Sequence, residues 1–285
     1  METSDIRTIC TRYGTFAIDT VRDEKMTRAL EDGRYPSKDA IAVARAFVNE
    51  RSVVIDIGAH IGTFTVPIAK VVEKTIAFEP SLPAADLLSR NAQENDVMVR
   101  VVNKALGSEK GSGTLVVRNV SNAGANTLVP GGDISITTLD EDVPYADFIK
   151  IDVEGMELEV LKGGSQLIER ARPAVFFEVN LSQLRAHGTS PRALGRFFTK
   201  RGYRLYVPFE RKGFSLARVW SATLLTALIA PRAWLFFDDS APFDLVAVPY
   251  ERALPLSQVG FLPVAWQVIS NNIVIKTKRV IAFFK

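Results

Sequence analysis

Four short apolar runs in this chain each end at an acidic residue: Val53-Val54-Ile55 before Asp56, Thr75-Ile76-Ala77-Phe78 before Glu79, Phe148-Ile149-Lys150-Ile151 before Asp152, and Ala174 to Phe177 before Glu178. Runs of this length, rich in β-branched and aromatic residues and lacking polar alternation, are expected in strands buried on both faces. Helix-period segments separate them, which predicts repeated βαβ units and an open, mainly parallel sheet covered by helices on both sides. Val97 to Val102, Tyr203 to Val207 and Asp244 to Val248 complete an expected set of seven strands.

The intervening segments read as helices with recognisable ends. A glycine turn from Gly58 to Gly62 leads into a helix through Lys70, and Pro80 and Pro83 suit the start of a helix over Ala84 to Asn95. Met156 to Leu167 and Pro191 to Arg201 are further helices, with Gly163-Gly164 interrupting the end of the first. The stretch Gly107 to Asp133 is rich in Gly, Ser and Asn around Leu115 to Val117, which predicts a short strand within a surface loop that can cover a ligand. The expected organisation is a flanking segment over 1–50, a catalytic domain over 51–250 with an insertion at about 210–240, and an extension over 251–285. There is no internal repeat that would indicate a solenoid.

Charge and composition narrow the classes. With 35 Lys and Arg against 32 Asp and Glu, the net charge of +3 leaves no basic field of the kind nucleic acid requires, so no nucleic-acid partner is expected. Cys10 is the sole cysteine, which excludes an intrachain disulfide and a Cys-rich metal site and fits a reducing cytoplasm, the expected location. Met1 to Thr20 lacks the apolar run of a secretory signal. Val219 to Pro231 is apolar but shorter than the roughly 20 residues of a membrane span, and reads as a buried helix. Ala253 to Ile275 is broken by Pro255, Gly260 and Pro263, and the tail Lys276 to Lys285 mixes charge with Phe283 and Phe284, which permits peripheral membrane contact. Trp220, Trp234 and Trp266 are expected to pack or to face a partner.

In an open parallel sheet, ligands bind beyond the carboxyl ends of the strands where chain order reverses. Asp56, Glu79 and Asp152 all stand at such ends and point to one cleft. Gly58 and Gly62 leave the first turn open to close backbone approach, as a nucleotide-sized cofactor needs. A dinucleotide fingerprint would place glycine where Asp56 stands. A carboxylate there repels pyrophosphate, but it can serve the ammonium end of a methionine moiety directly or through water, which favours S-adenosylmethionine over NAD. Glu79, about 20 residues further on, is placed to accept both hydroxyls of a ribose.

The ordered set Val54-Ile55-Asp56-Ile57-Gly58-Ala59-His60-Ile61-Gly62, Ala77-Phe78-Glu79-Pro80, Asn103-Lys104-Ala105-Leu106-Gly107, Thr138-Leu139-Asp140 and Ile149-Lys150-Ile151-Asp152-Val153-Glu154-Gly155 resembles the FkbM-type methyltransferases. The resemblance covers about residues 50–180. It implies a Rossmann-like Class I methyltransferase fold using S-adenosylmethionine, commonly for O-methylation of sugars or natural-product hydroxyls. The cofactor-binding set it implies is Asp56, Gly58, Ala59, Gly62, Glu79, Pro80 and Ala105, with His60 where the family often has Asn.

Lys150, Asp152 and Glu154 are the candidate catalytic residues, at the mouth of the strand beside the expected sulfonium. Asp152 or Glu154 can take the proton of an acceptor hydroxyl, or either can hold a divalent cation; no metal site is expected, since only oxygen ligands are evident and no His lies near. The competing structural explanation is that Glu154 and Glu157 simply favour a helix N-terminus. Glu178 and Asn180 are candidates for the acceptor side, and His187 is a weaker candidate base. A small-molecule or glycan acceptor is expected, while its identity and the oligomeric state are not encoded in these motifs. A nucleotide-dependent oxidoreductase and a non-catalytic cofactor-binding module are the alternatives.

Overall fold

The computed structural model describes residues 4–116, 127–210, 214–219 and 242–252. The chain opens with a hairpin, β1 (Ile6–Thr11) and β2 (Gly14–Asp19), and two helices, α1 (Glu24–Glu31) and α2 (Lys38–Phe47). The first core units are β3 (Val53–Ile57), α3 (Thr65–Ala69), β4 (Lys74–Phe78), α4 (Leu82–Glu94) and β5 (Arg100–Val102). Then come β6 (Ala105–Leu106), β7 (Gly111–Val116), β8 (Thr127–Pro130), β9 (Ile134–Thr137) and α5 (Leu139–Asp142). The second half runs through β10 (Phe148–Ile151), α6 (Glu157–Gly163), α7 (Ser165–Ala171), β11 (Ala174–Val179), α8 (Leu181–Ala186), α9 (Pro191–Thr199), β12 (Tyr203–Glu210), β13 (Phe214–Val219) and β14 (Phe243–Pro249).

The main sheet has the order β13-β12-β14-β11-β10-β3-β4-β5. β5, β4, β3, β10 and β11 pair in parallel, and β14 enters antiparallel between β11 and β12. This is the Rossmann-like α/β class the sequence predicts, with the switch in strand order between β3 and β10. The sheet has eight strands where seven were expected. Phe214–Val219, inside the stretch read as an insertion, folds back on Leu205–Glu210 and supplies the hydrogen bonds that the edge of β12 would otherwise leave unmade.

Strand alternation sorts the core into two layers. Ile55, Ile57, Ile149, Ile151, Val175 and Phe177 face α5 to α9, while Val54, Phe148, Ala174, Phe176 and Val246 face α2 and α3. Ala77 packs with Leu88 of α4 on that same second face. Within Gly107 to Asp133 the described residues hold two strands, β7 and β8, which join β6 and β9 on either side of the segment in a separate four-stranded sheet. The helix expected over Met156 to Leu167 is two helices that meet at Gly164, where a β-carbon would strike Leu139. The buried helix expected at Val219 to Pro231, apart from Val219 at the end of β13, lies outside the described residues, as do the three tryptophans, most of the expected insertion and the extension after Arg252. Among the described residues no helix is long and apolar enough to cross a membrane.

The N-terminal hairpin is joined to the core by asparagines of α4. Asn91, fully buried, accepts from Ala17 N at 2.6 Å and donates to Ala17 O at 3.1 Å and to Ile61 O at 2.8 Å. Asn95 accepts from Thr15 N at 3.0 Å and donates to Thr15 O. Each side chain thus mimics a paired strand, and Asn91 also fastens the glycine turn. Asn91→Ala leaves three buried backbone groups without partners and is expected to cost about 2–4 kcal/mol in urea denaturation; a loss under about 0.5 kcal/mol would show that the hairpin is not held this way.

Candidate active site

Strand parity and register build the site. Ala77, Asp56, Lys150, Phe176 and Val246 are successive partners across β4, β3, β10, β11 and β14, so they form one row on the α2 face. Two residues nearer the cleft on each strand stand Glu79, Gly58, Asp152, Glu178 and Asp244, and the two-residue period places them on that same face. All five of this upper row line one cleft of about 980 Å³. The acid-ended runs of the sequence therefore converge because their parity matches.

The expected residues divide between the cleft and its foundation. Gly58, Ala59, Glu79, Pro80, Ala105, Lys150, Asp152 and Glu154 line the cleft, whereas Asp56 and Gly62 do not. Asp56 is fully enclosed: its Oδ2 accepts from Thr65 Oγ1 at 2.5 Å and its Oδ1 lies 3.3 Å from Lys150 Nζ. An internal hydroxyl and ammonium thus occupy the carboxylate expected to meet a methionine ammonium. Gly62 (φ +90°) leaves room for Leu88 of α4, which a β-carbon would approach to 2.3 Å. Gly58 (φ +76°) is required by close approach of protein to protein: a β-carbon there would lie 1.9 Å from the Asp152 carbonyl oxygen.

Glu79 is held in place before any ligand arrives. Its Oε2 accepts from His60 N at 2.8 Å and its Oε1 from Ser81 N at 2.8 Å. Burial raises its carboxyl above the ordinary range, while His60 and the two backbone N–H groups oppose that shift. Asn103 donates to the carbonyl oxygens of Glu79 and Pro80, at 2.9 and 3.0 Å, and so ties the β4 tip to the turn before β6. His60, in a left-handed conformation (φ 51°), places Nε2 3.0 Å from Asp23 Oδ2 at the start of α1. Burial disfavours its charge, but the Asp23 hydrogen bond and nearby carboxylates outweigh this and raise its pKa.

Lys150 is the electrostatic centre. Its side chain is 7% exposed and its Nζ lies 3.3 Å from both Asp56 Oδ1 and Asp152 Oδ2. Burial alone would lower its pKa; the two carboxylates reverse that and raise it, so it remains an ammonium. It is consequently unsuited to act as a base. Asp152, with its side chain 43% exposed, presents the accessible end of this chain of charges. Glu154 accepts a hydrogen bond from Gln183 of α8 and adopts φ 54° beside Gly155. Glu157 is buried, accepts from Gly155 N at 3.1 Å, and is raised to about 7, chiefly by burial. His187 does not line the cleft; its ring packs near Gly155.

Sequence reasoning did not find Thr65, Asp23 or Asp244. Thr65 and Asp23 carry no local signal for their partners, and the sequence marks Asp244 only as the beginning of a strand. Among the described residues no group of three or more His, Cys, Asp or Glu side chains is arranged to hold a metal ion.

Residues 56–205 match the methyltransferase FkbM domain, more than half of the chain. The chain belongs to this family. Among curated relatives, the hexuronic acid methyltransferase AglP of Haloferax volcanii is 29% identical over 139 residues, covering 46% of this chain and 58% of that protein. The methyltransferase sdnD of Sordaria araneosa is 31% identical over 153 residues, covering 39% and 59% respectively. The chain thus spans under two thirds of the length of either relative. A solved FkbM methyltransferase from Methylobacillus flagellatus KT aligns with 46% of this chain and 33% of its own at 20% identity and a TM-score of 0.36. The family implies S-adenosylmethionine as methyl donor, and the oxidoreductase alternative is not favoured.

Two outcomes test these electrostatics. Lys150→Met strands the enclosed Asp56 charge and is expected to cost about 3–5 kcal/mol in denaturant unfolding, most of which Asp56→Asn should restore in the double variant; additive losses would refute the coupling. Because Glu157 is raised in the folded protein from 4.5 to about 7, its contribution is complete below pH 4.5 and is lost as pH climbs through 7, by roughly 3 kcal/mol. Measured against Glu157→Gln, the wild type should lose ground between pH 5 and 8, and a constant difference would contradict this assignment.

Proposed function

We propose that this domain transfers a methyl group from S-adenosylmethionine to a hydroxyl oxygen of a sugar, glycan or small natural product. The observation that carries the reading is Glu79, a buried carboxylate at the tip of β4 whose two oxygens are aligned by the backbone N–H groups of His60 and Ser81. Each oxygen keeps a further lone pair, and the pair suits the vicinal hydroxyls of a ribose. Gly58 and Ala59 supply bare backbone beside it, and Phe78, Pro80, Ala105 and Leu106 supply an apolar wall for a nucleobase. These residues fit an adenosyl group, and the acidic floor beyond them fits a cationic sulfonium.

When bound, S-adenosylmethionine supplies an electrophilic methyl group. Asp152 is placed to orient the acceptor hydroxyl and take its proton on Oδ1, since Lys150 holds the other oxygen, Oδ2. Lys150 fixes that carboxylate from below and carries no proton away. Gln183 holds Glu154 at the cleft margin, where it contributes a second acceptor for a polyol. One relative, AglP, is named for a hexuronic acid and so supports a hydroxylated small-molecule acceptor, while the name of sdnD gives no acceptor.

Isothermal titration with S-adenosylmethionine and S-adenosylhomocysteine tests the cofactor assignment. Glu79→Ala should weaken binding by about 2–4 kcal/mol, roughly 30- to 1000-fold, by removing two charge-assisted hydrogen bonds. Tight binding of NAD(H) with none of either adenosyl ligand would overturn the reading.

A further inference from the structure

We propose that Glu178 and Asp244 form the wall that receives the acceptor, and that this wall selects a neutral polyol by excluding a carboxylate next to the reacting hydroxyl. The inference rests on the methyltransferase reading and deepens it.

Glu178 and Asp244 are direct register partners on the antiparallel strands β11 and β14. Side chains so opposed stand on one face with β-carbons about 4.5–5.5 Å apart, and like charges at such positions repel. Both line the cleft, on the side of Asp152 away from Glu79. Among the described residues neither carboxylate has a hydrogen-bond or ion-pair partner. Lys150, one pleat below, is already shared by Asp56 and Asp152. Both residues are only partly buried, so water can satisfy this pair in the empty cleft, and a ligand that displaces the water must supply hydrogen bonds in its place.

The groups facing the pair are mostly acidic. Asp152, Glu154 and Glu157 approach from the β10–α6 segment and Asp39 from α2, with Lys150 opposing them. Burial and these neighbours raise both carboxyls well above the ordinary range, so the wall cannot hold all its negative charge even when alone. A further carboxylate from the acceptor would have to be neutralised as well. Hydroxyls meet no such opposition, because they donate to an ionised carboxylate and accept from a protonated one. Arg12, Lys25, Arg34, Lys38 and Lys104 also line the cleft; the first four are exposed, where solvent weakens their attraction for an anion, and Lys104 is paired with Asp142 at 3.3 Å.

The test uses the full chain, tritiated-methyl S-adenosylmethionine and matched acceptors, alkyl hexosides and the corresponding alkyl hexuronides. Wild type should favour the neutral series in kcat/KM by about tenfold or more, and Glu178→Gln with Asp244→Asn should shrink that preference to within about threefold. Titration of the cofactor into the same variant should give a Kd within about threefold of wild type, which also shows that the variant folds. Equal or better transfer to hexuronides by wild type, or transfer to neither series, overturns the proposal. So does a double variant that keeps cofactor affinity and also keeps wild-type selectivity. Failure of the underlying reading has its own signature, the absence of cofactor binding by wild type.

Discussion

The ammonium of Lys150 lies between Asp56 beneath it and Asp152 above it, and the site depends on that placement. Three charges in a row would be expensive in this interior if any stood alone, and a buried pair with one partner removed is strongly destabilising. Here the inner carboxylate also accepts from Thr65, so every charge in the foundation has a partner. Asp152 consequently reaches the cleft with its orientation already fixed. The lysine joins β3 to β10 at the point where strand order reverses, and the same contact that stabilises the sheet aims the candidate base.

Register extends that local arrangement across the sheet. Because side chains alternate along a strand, Glu79, Asp152, Glu178 and Asp244 share a face only if their strands pair in the observed register. A slip of one residue in any strand would turn its acid toward the opposite helical layer. The apolar residues prevent such a slip. Ile55, Ile57, Ile149, Ile151, Val175 and Phe177 all fill the layer against α5 to α9, and they hold the acids to the other side. Core packing on one face thus determines the chemistry on the other.

The same logic explains which features could be read from the sequence. β3, β4, β10 and β11 announce themselves because strands buried on both faces are continuous apolar runs, and Ala174–Val179 has the expected limits. Glu79 could be recognised from its distance to the glycine turn. Asp56 and Gly62 were expected at the ligand for the same reason, yet they serve Lys150 and Leu88, because a motif gives spacing and does not reveal which neighbour arrives from elsewhere in the chain. Lys150 meets Asp56 from 94 residues away, and the hairpin strand β2 meets Asn91 from 74. The sheet of β6 to β9 was hidden by its short strands among Gly and Ser residues. β13 lies within the stretch that reads as an insertion between the last two expected strands.

The two ends of the cleft are built under different constraints. At the cofactor end, Gly58 is fixed by the Asp152 carbonyl and Glu79 by two backbone N–H groups, so substitution there disturbs the main chain itself. These residues fall within the span that matches the family. At the other end, Glu178 lies inside that span, but Asp39 and Asp244 lie outside it and come from α2 and β14. Their carboxylates bear no structural load comparable to that of Asp56, since among the described residues Asp244 has no hydrogen-bond or ion-pair partner. A cleft whose donor side is locked by backbone contacts and whose far side is lined by substitutable side chains can change its acceptor without rebuilding its cofactor site. On the proposed reading, part of the acceptor wall, Asp39 and Asp244, comes from segments that the family match does not cover.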